Sequence, residues 1–394
     1  MLKLEGVSIE QDVFIYGFGL AGKWLSANLV GNIKGFIDTD FKKVGREFNG
    51  YTVLSIPQAQ QVCNENSVII ITVIDIQDVL SIVDKLPHKA WIALGAHLNN
   101  TAVDNNPLEE SSRFVEYSLK AVEDCHKGFL SKDQLFLRSI DVVITEKCSL
   151  KCKDCSNLMQ YYEAPVNIEF NEILRDFDDL TGSADHIYEV RLIGGEPFMN
   201  KDIYKIIEYL AASPKITKLV IYSNAMVPIK EDQGQILRNP KVVFSLTDYG
   251  SLAKNTTLVA KSLEAMGVAY RLHPPENWTD SGTIEDFKRT IEGQKQLFAD
   301  CCGKNLLTVT DGKLYRCPFA ANADRLKAVP ADKLNSVSVK ASPEEIRKFV
   351  SEIDYLPACR YCKGRSFGSP EIVPAIQAPA PLKYVKFSSN TSTS

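Results

Sequence analysis

Three observations predict an α/β protein in three parts: a glycine-turn βαβ unit near the start, a restart of strand and helix alternation after Ser139, and cysteine-bearing turns after about residue 300. At 394 residues, 45% of them hydrophobic, the chain is too long for one ordinary domain and long enough for two or three packed cores. The parts are placed at residues 1–125, 126–300 and 301–372, with a flexible tail over 373–394 that is rich in Pro, Ala, Ser and Thr.

The charge balance, 45 basic against 49 acidic residues and no long Lys/Arg run, argues against a nucleic-acid partner. The opening residues lack a charged-then-apolar signal pattern, and no apolar stretch is long enough to cross a bilayer. A cytoplasmic location and no membrane partner are therefore expected. That compartment keeps thiols reduced, so ten cysteines read as metal ligands or redox groups rather than as disulfides.

In the first part, the apolar run Val13 to Tyr16 enters Gly17-Phe18-Gly19-Leu20-Ala21-Gly22, then a helix-like stretch from Lys23 to Val30 and a second strand, Gly35 to Ile37, ending at Asp38. Gly17, Gly19 and Gly22 let backbone amides at a helix N-terminus approach an anion, and Asp38 stands where a carboxylate can meet a ribose hydroxyl. Strands at Val68 to Val73 and Ala90 to Leu94, around a helix near Asp78 to Lys85, complete a Rossmann-like domain. Through Ile15-Tyr16-Gly17, Gly35-Phe36-Ile37-Asp38 and Asn49-Gly50-Tyr51-Thr52-Val53-Leu54 it resembles the nucleotide-sugar-binding N-terminal domain of sugar acyltransferases. The resemblance implies a nucleotide-linked sugar as ligand. A docking module with an empty pocket is the alternative.

The second part carries apolar strands at Ile140 to Ile144, Tyr188 to Ile193, Lys218 to Tyr222, Val242 to Leu246 and Ala269 to Leu272. Between them lie segments of helical periodicity, such as Glu169 to Leu180, Ile203 to Ala212 and Leu258 to Met266. Repeated βα units of this size predict a parallel barrel, complete or partial, with its chemistry at the C-terminal ends of the strands.

The first of these strands runs into Cys148, Cys152 and Cys155. Three thiolates hold three irons of a [4Fe–4S] cube and leave the fourth open to a cofactor. The Cys-x3-Cys-x2-Cys spacing resembles the signature of the radical S-adenosyl-L-methionine (SAM) superfamily, and the next strand ends in a second match, Gly194-Gly195-Glu196-Pro197. The resemblance implies that this turn lines the methionine end of SAM, and that Ser223 and Asn224 contact its ribose or carboxylate. One departure is Asp154, where the superfamily usually has an aromatic residue before the third cysteine.

In the third part, Cys302, Gly312, Cys317, Cys359 and Cys362 resemble the SPASM/twitch auxiliary-cluster domains that follow many radical SAM barrels. No cysteine follows Cys362, which implies the shorter twitch form with one fully ligated [4Fe–4S] cluster on Cys302, Cys317, Cys359 and Cys362. Cys301 and Cys302 are adjacent and either could start the spacing to Gly312, which leaves one thiol spare; with Cys302 as ligand it is Cys301, either as a hydrogen-atom donor to a substrate radical or as a buried small hydrophobe.

These features imply reductive SAM cleavage to a 5′-deoxyadenosyl radical and hydrogen abstraction from a sugar or nucleotide-linked small molecule, ending in oxidation or epimerisation. A flavodoxin- or ferredoxin-like protein is the expected electron donor. Asp248, Tyr249, His273 and Asp280 are the candidates for removing a hydroxyl proton. The rival readings are a SPASM-type maturase of ribosomal peptides and a non-catalytic iron–sulfur or zinc scaffold, the latter pairing Cys152 and Cys155 with Cys359 and Cys362.

Overall fold

The computed structural model describes residues 2–98, 106–275, 278–366 and 369–387. The chain divides into two compact units, Met1–Gln134 and Leu135–Ser394.

The first unit contains β1 (Asp12–Tyr16), α1 (Leu20–Asn28), β2 (Asn32–Ile37), β3 (Glu47–Phe48), β4 (Tyr51–Leu54), α2 (Ile56–Val62), β5 (Val68–Ile71), α3 (Gln77–Val83), β6 (Ala90–Ala93) and α4 (Ser112–Leu130). Its sheet has the order β3-β4-β2-β1-β5-β6, parallel except for the β3–β4 hairpin. Central strands buried on both faces read as continuous apolar runs, and Val13 to Tyr16 and Val68 to Ile71 do so because alternate residues serve two cores. Val13, Ile15, Val68 and Ile70 pack with Trp24, Leu119 and Val122, whereas Phe14, Tyr16, Ile69 and Ile71 pack with Val79 and Val83. The chain moves outward from β1 in both directions, so the glycine turn lies at the topological switch point, as the Rossmann-like expectation requires. The expected boundary at residue 125 falls inside α4, and the unit continues to Gln134.

The second unit opens with five strands joined by helices: β7 (Phe136–Thr145), α5 (Phe170–Ser183), β8 (His186–Gly194), α6 (Ile203–Ala212), β9 (Ile216–Ser223), α7 (Gly234–Leu237), β10 (Val242–Thr247), α8 (Thr256–Met266) and β11 (Ala269–His273). There follow β12 (Trp278–Thr279), α9 (Ile291–Asp300), β13 (Leu307–Thr310), β14 (Lys313–Tyr315), α10 (Pro318–Arg325), β15 (Ser336–Ser338), α11 (Pro343–Ser351) and β16 (Glu371–Ile372). The sheet runs β11-β10-β9-β8-β7-β13-β14-β15 with β7 to β11 parallel, a partial barrel. Leu137, Val190, Leu219, Phe244 and their neighbours on one face meet Phe177, Ile206, Leu210 and Leu263 of the helices.

The expected boundary at residue 301 does not separate a third body. Leu307, Thr308 and Val309 of β13 pair in parallel with Ile140, Asp141 and Val142 of β7, so the cysteine-bearing segment continues the barrel sheet. The expected flexible tail differs as well: Ala375 and Ala378 are buried, and Leu382, Tyr384 and Phe387 pack on the small core around Tyr161 and Tyr361. Its apolar residues are few but spaced to reach that core. Residues 388–394 of the expected tail lie outside the described residues.

Candidate active site

The loop after β7 carries Cys148, Cys152 and Cys155, each half-buried and unpaired by disulfide. Burial pushes the Cys148 and Cys155 thiols up and raises Cys152 to about 11, with the neighbouring sulfurs adding to the effect at Cys148 and Cys152. Such thiols stay protonated until a metal takes their protons.

The glycines of the turn after β8 are there for space. A Cβ on Gly194 would lie 2.2 Å from the Thr145 carbonyl oxygen, and one on Gly195 2.1 Å from that of Lys147. This close approach lets Gly195 N–H donate to Thr145 O at 2.9 Å and Glu196 N–H to Lys147 O at 2.8 Å, stitching the turn to the residues just before Cys148. Glu196 is fully buried. Its Oε1 accepts from Ser223 Oγ at 2.9 Å and Phe198 N–H at 3.2 Å, and its Oε2 accepts from Asn224 N–H at 2.8 Å. Burial raises its carboxyl to about 7 against the pull of those donors. Glu196 therefore works on the protein, shaping the end of β9. Asn224 in turn reaches the cysteine loop, its Nδ2 donating to Ser149 Oγ at 3.0 Å and to Cys148 Sγ at 3.7 Å. Asn224 thus stands beside Cys148, and Ser223 is held one residue earlier by Glu196.

The second thiol set differs from expectation in one member. A single pocket is lined by Cys301, Cys317, Cys359 and Cys362 among Leu297, Phe298, Phe319, Leu356 and Ala358. Backbone N–H groups donate to three of these sulfurs: Gly303 to Cys301 at 3.3 Å, Ala320 to Cys317 at 3.4 Å and Gly364 to Cys362 at 3.3 Å. Cys301, and not Cys302, is the fourth cysteine lining this pocket. Cys301 is the C-cap of α9, directed into the pocket, whereas the Cys302 N–H bonds Arg365 O at 2.7 Å on the following turn. Burial pushes Cys317 well up, and raises Cys359 to about 11 and Cys362 to about 12.

Cys359 and Cys362 share their pocket with Cys301 and Cys317, and Cys152 and Cys155 do not line it, which does not fit the zinc pairing of Cys152 and Cys155 with Cys359 and Cys362. Among the described residues, no three His, Cys, Asp or Glu side chains converge as the ligands of a single ion do. A four-iron cube asks for something wider, one thiolate per iron. Three thiols in one loop and four in an apolar pocket whose amides point at sulfur fit that demand.

The face of the partial barrel away from its helices mixes apolar residues such as Val143, Ile193 and Val220 with polar ones. Asp141, Glu189, Arg191, Lys218, Ser245 and His273 alternate with the core residues of β7 to β11. Arg191 pairs with Asp141 and lies over the Tyr222 ring at 5.7 Å, while Lys218 pairs with Glu189 at 3.2 Å. Strand alternation was the available signal for these residues, since each of them breaks the apolar run at an alternate position.

The candidate proton acceptors fare unequally. Tyr249 sits edge-on to Trp278 at 6.3 Å. Burial is the main cause that pushes its phenol far up. Asp280 is held by Lys363 and by Thr283 Oγ1 at 3.0 Å, and Asp248 accepts from Gly250 N–H at 2.9 Å. His273 keeps Nε2 toward Ser245 Oγ at 3.2 Å. Its other ring nitrogen, Nδ1, lies 3.0 Å from Pro274 O.

In the first unit, Gly17 has a positive φ of 109°, and a Cβ on Gly22 would lie 2.0 Å from Gly17 O, so both glycines serve the tight turn. Gly19 is the N-cap of α1 with open space beside its Cα. Asp38 Oδ2 accepts from Phe18 N–H at 2.8 Å and from Lys43 Nζ at 3.1 Å. Its carboxylate braces the turn, which does not support the ribose-binding role expected of it.

Sequence reasoning missed Arg289, whose Nη1 donates to Cys362 O at 2.6 Å and Cys359 O at 3.1 Å, collaring the closing cysteine pair. It also missed Gln377, whose Nε2 donates to Cys152 Sγ at 3.6 Å. No local pattern announces either contact, since both join segments distant in sequence.

Residues 142–247 match the family model described as the Radical SAM superfamily. That segment is a radical SAM domain, and it contains both the three-cysteine loop and the Gly194 turn. Over 124 residues the chain is 28% identical to molybdenum cofactor biosynthesis protein moc-5 of Caenorhabditis elegans, covering 30% of this chain and 20% of that protein. Over 101 residues it is 26% identical to GTP 3′,8-cyclase of Syntrophomonas wolfei, covering 24% of this chain and 29% of that protein. The chain thus spans less than a third of the length of these curated relatives. Among solved structures, it resembles BtrN in complex with AdoMet and 2-DOIA with a TM-score of 0.40 at 14% identity, over 58% of this chain and 93% of that one. Streptococcus suis SuiB bound to precursor peptide SuiA gives a TM-score of 0.27 at 19% identity, over 43% and 40%. No helix among the described residues is long and apolar enough to cross a membrane.

Proposed function

We propose that the chain is a radical SAM oxidoreductase that removes two electrons from a polar small molecule, a sugar or a nucleotide-linked sugar. The observation that carries this reading is the pairing of a three-thiol loop at the C-terminal edge of β7 with a four-thiol apolar pocket in the same unit. Cys148, Cys152 and Cys155 would hold a cluster with one open iron, and Cys301, Cys317, Cys359 and Cys362 a fully ligated one. When bound, the first supplies the low-potential electron that splits SAM to methionine and a 5′-deoxyadenosyl radical, and the second takes up an electron from the substrate.

The remaining steps belong to the protein. The Gly194 turn and Asn224 frame the site beside Cys148. Hydrogen-atom loss from a carbinol carbon, proton loss from its hydroxyl and transfer of one electron together give a ketone. His273 beside Ser245 is the residue we assign to the proton. The polar lining Asp141, Glu189, Arg191 and Lys218 supports a hydroxyl-rich substrate.

The test is anaerobic reconstitution with iron and sulfide, then dithionite and SAM, following 5′-deoxyadenosine. Formation by the wild type and none by Cys148→Ala is expected. An iron-loaded wild type that releases no 5′-deoxyadenosine sinks the proposal.

A further inference from the structure

The segment 371–387 crosses the three-cysteine loop as a strap. Lys153 N–H donates to Ile376 O at 2.7 Å and Ala378 N–H donates to Lys151 O at 2.6 Å, an antiparallel bridge that places Gln377 opposite Cys152. The Gln377 side chain completes it. Its Oε1 accepts from Lys151 N–H at 2.7 Å, and its Nε2 donates to Ala375 O at 2.7 Å and to Cys152 Sγ at 3.6 Å. The amide orientation is fixed on both sides, because a flipped amide would set its NH2 against an N–H and its oxygen against a carbonyl. The strap is anchored beyond this point as well. Leu382 N–H donates to Gln160 O at 2.8 Å, Gln160 Nε2 donates to Cys155 O at 3.2 Å, and Tyr384 packs edge-on to Tyr161 at 5.5 Å. At its start, β16 pairs with β12, the strand carrying Trp278.

We propose that this strap is part of the catalytic site and that Gln377 is a positioning residue acting through Cys152, setting how readily a cluster on Cys148, Cys152 and Cys155 is reduced. The proposal rests on the reading of those cysteines as cluster ligands. Reduction adds negative charge that spreads onto the sulfurs, so an N–H pointed at a ligand sulfur favours the reduced state and raises the potential. Asn224 makes the corresponding contact to Cys148 from the barrel side. Cys152 receives its contact from a segment 225 residues further along the chain. The strap also occupies the Lys151 and Lys153 backbone groups, which would otherwise open the loop to solvent.

The test uses the full chain, reconstituted anaerobically, as wild type, Gln377→Leu and Gln377→Glu. Leucine removes the donor at similar volume, and glutamate keeps an acceptor for Lys151 N–H while turning a negative oxygen toward the sulfur. The readout is a redox titration followed by electron paramagnetic resonance, taking the signal that shifts when SAM is added. The midpoint is expected to fall in Gln377→Leu and to fall further in Gln377→Glu, with iron lost to a chelator severalfold faster than from the wild type. Loss of the SAM-responsive signal in both variants, with the irons of the four-thiol pocket retained, supports the proposal equally. Unchanged midpoints and unchanged chelation rates in both variants overturn it. A wild type that assembles iron but shows no SAM-responsive signal overturns instead the three-cysteine reading on which it rests.

Discussion

Arg325 and Glu146 form a buried ion pair, with guanidinium Nη2 donating to carboxylate Oε1 at 2.6 Å, that joins the helix following Cys317 to the strand end just ahead of Cys148. The second Glu146 oxygen accepts from Val166 N–H at 2.9 Å, and Arg325 also donates to Asp311 and to Thr310 Oγ1. The pair thus couples the segment that bears one thiol set to the loop that bears the other.

Removing one partner leaves the other charged and buried. Arg325→Met is expected to destabilise the second unit by ~3–5 kcal/mol, and Glu146→Gln by a comparable amount. The double variant should cost clearly less than the sum, since neither charge is then stranded. Urea unfolding of the four proteins measures this, and strictly additive losses would show that the pair carries no coupling.

The turn at Gly195 makes a sterically sharper prediction. Its missing Cβ would meet the Lys147 carbonyl at 2.1 Å, so Gly195→Ala must displace the backbone next to Cys148. Overpacking of this kind costs ~1–3 kcal/mol, and if the turn is held only in the SAM-bound state the loss appears as about tenfold to a hundredfold weaker SAM binding. Gly182→Ala is the control, because a Cβ there meets nothing within 4 Å. Calorimetric titration of SAM into both reconstituted proteins separates them. Wild-type affinity in Gly195→Ala would mean the turn does not shape the SAM site.

Legibility followed the range of the interactions. The strands β1, β5 and β7 to β11 were evident because burial on one or both faces writes itself into every residue or every second residue. The three cysteines and the Gly194 turn were evident because their chemistry is contained in a single loop. Helix α4 carries Val115, Leu119, Val122 and His126 at helical spacing, so its signal was present but lay beyond the point where strand alternation ended. The choice between Cys301 and Cys302 was not legible, since adjacent residues differ only in direction, which the C-cap of α9 decides. Gln377 and Arg289 were not legible either, because their partners lie 225 and 73 residues away.

That direction is testable by metal retention. Cys301→Ala is expected to lose iron from the four-thiol pocket to a chelator faster than the wild type, and Cys302→Ala to lose it at the wild-type rate, because only the first removes a thiol of that pocket. Iron release followed on the reconstituted proteins gives the answer directly. The reverse pattern would restore Cys302 as ligand and return Cys301 to the role of spare thiol.

His126 supplies a pH-dependent prediction for the first unit. The ring is fully buried, with Nδ1 accepting from Gly95 N–H at 2.9 Å and Nε2–H donating to Val73 O at 2.7 Å. The Nδ1 bond requires the neutral ring, and burial, the largest cause, lowers the pKa from 6.5 to about 4 against the pull of the Val73 carbonyl. In the unfolded chain the ring takes its proton first, near pH 6.5, so between there and pH 4 the unfolded state binds more protons and stability falls with falling pH. The contribution is fully present above about pH 6.5 and amounts to ~3 kcal/mol by linkage. Hydrogen exchange of residues 1–134, compared between pH 7 and pH 4.5, should show protection lost on acidification in the wild type. His126→Gln should be less stable at pH 7, because it reproduces the two bonds imperfectly, but should have a flatter pH profile. A variant whose profile falls as steeply as that of the wild type would assign the acid sensitivity to other groups.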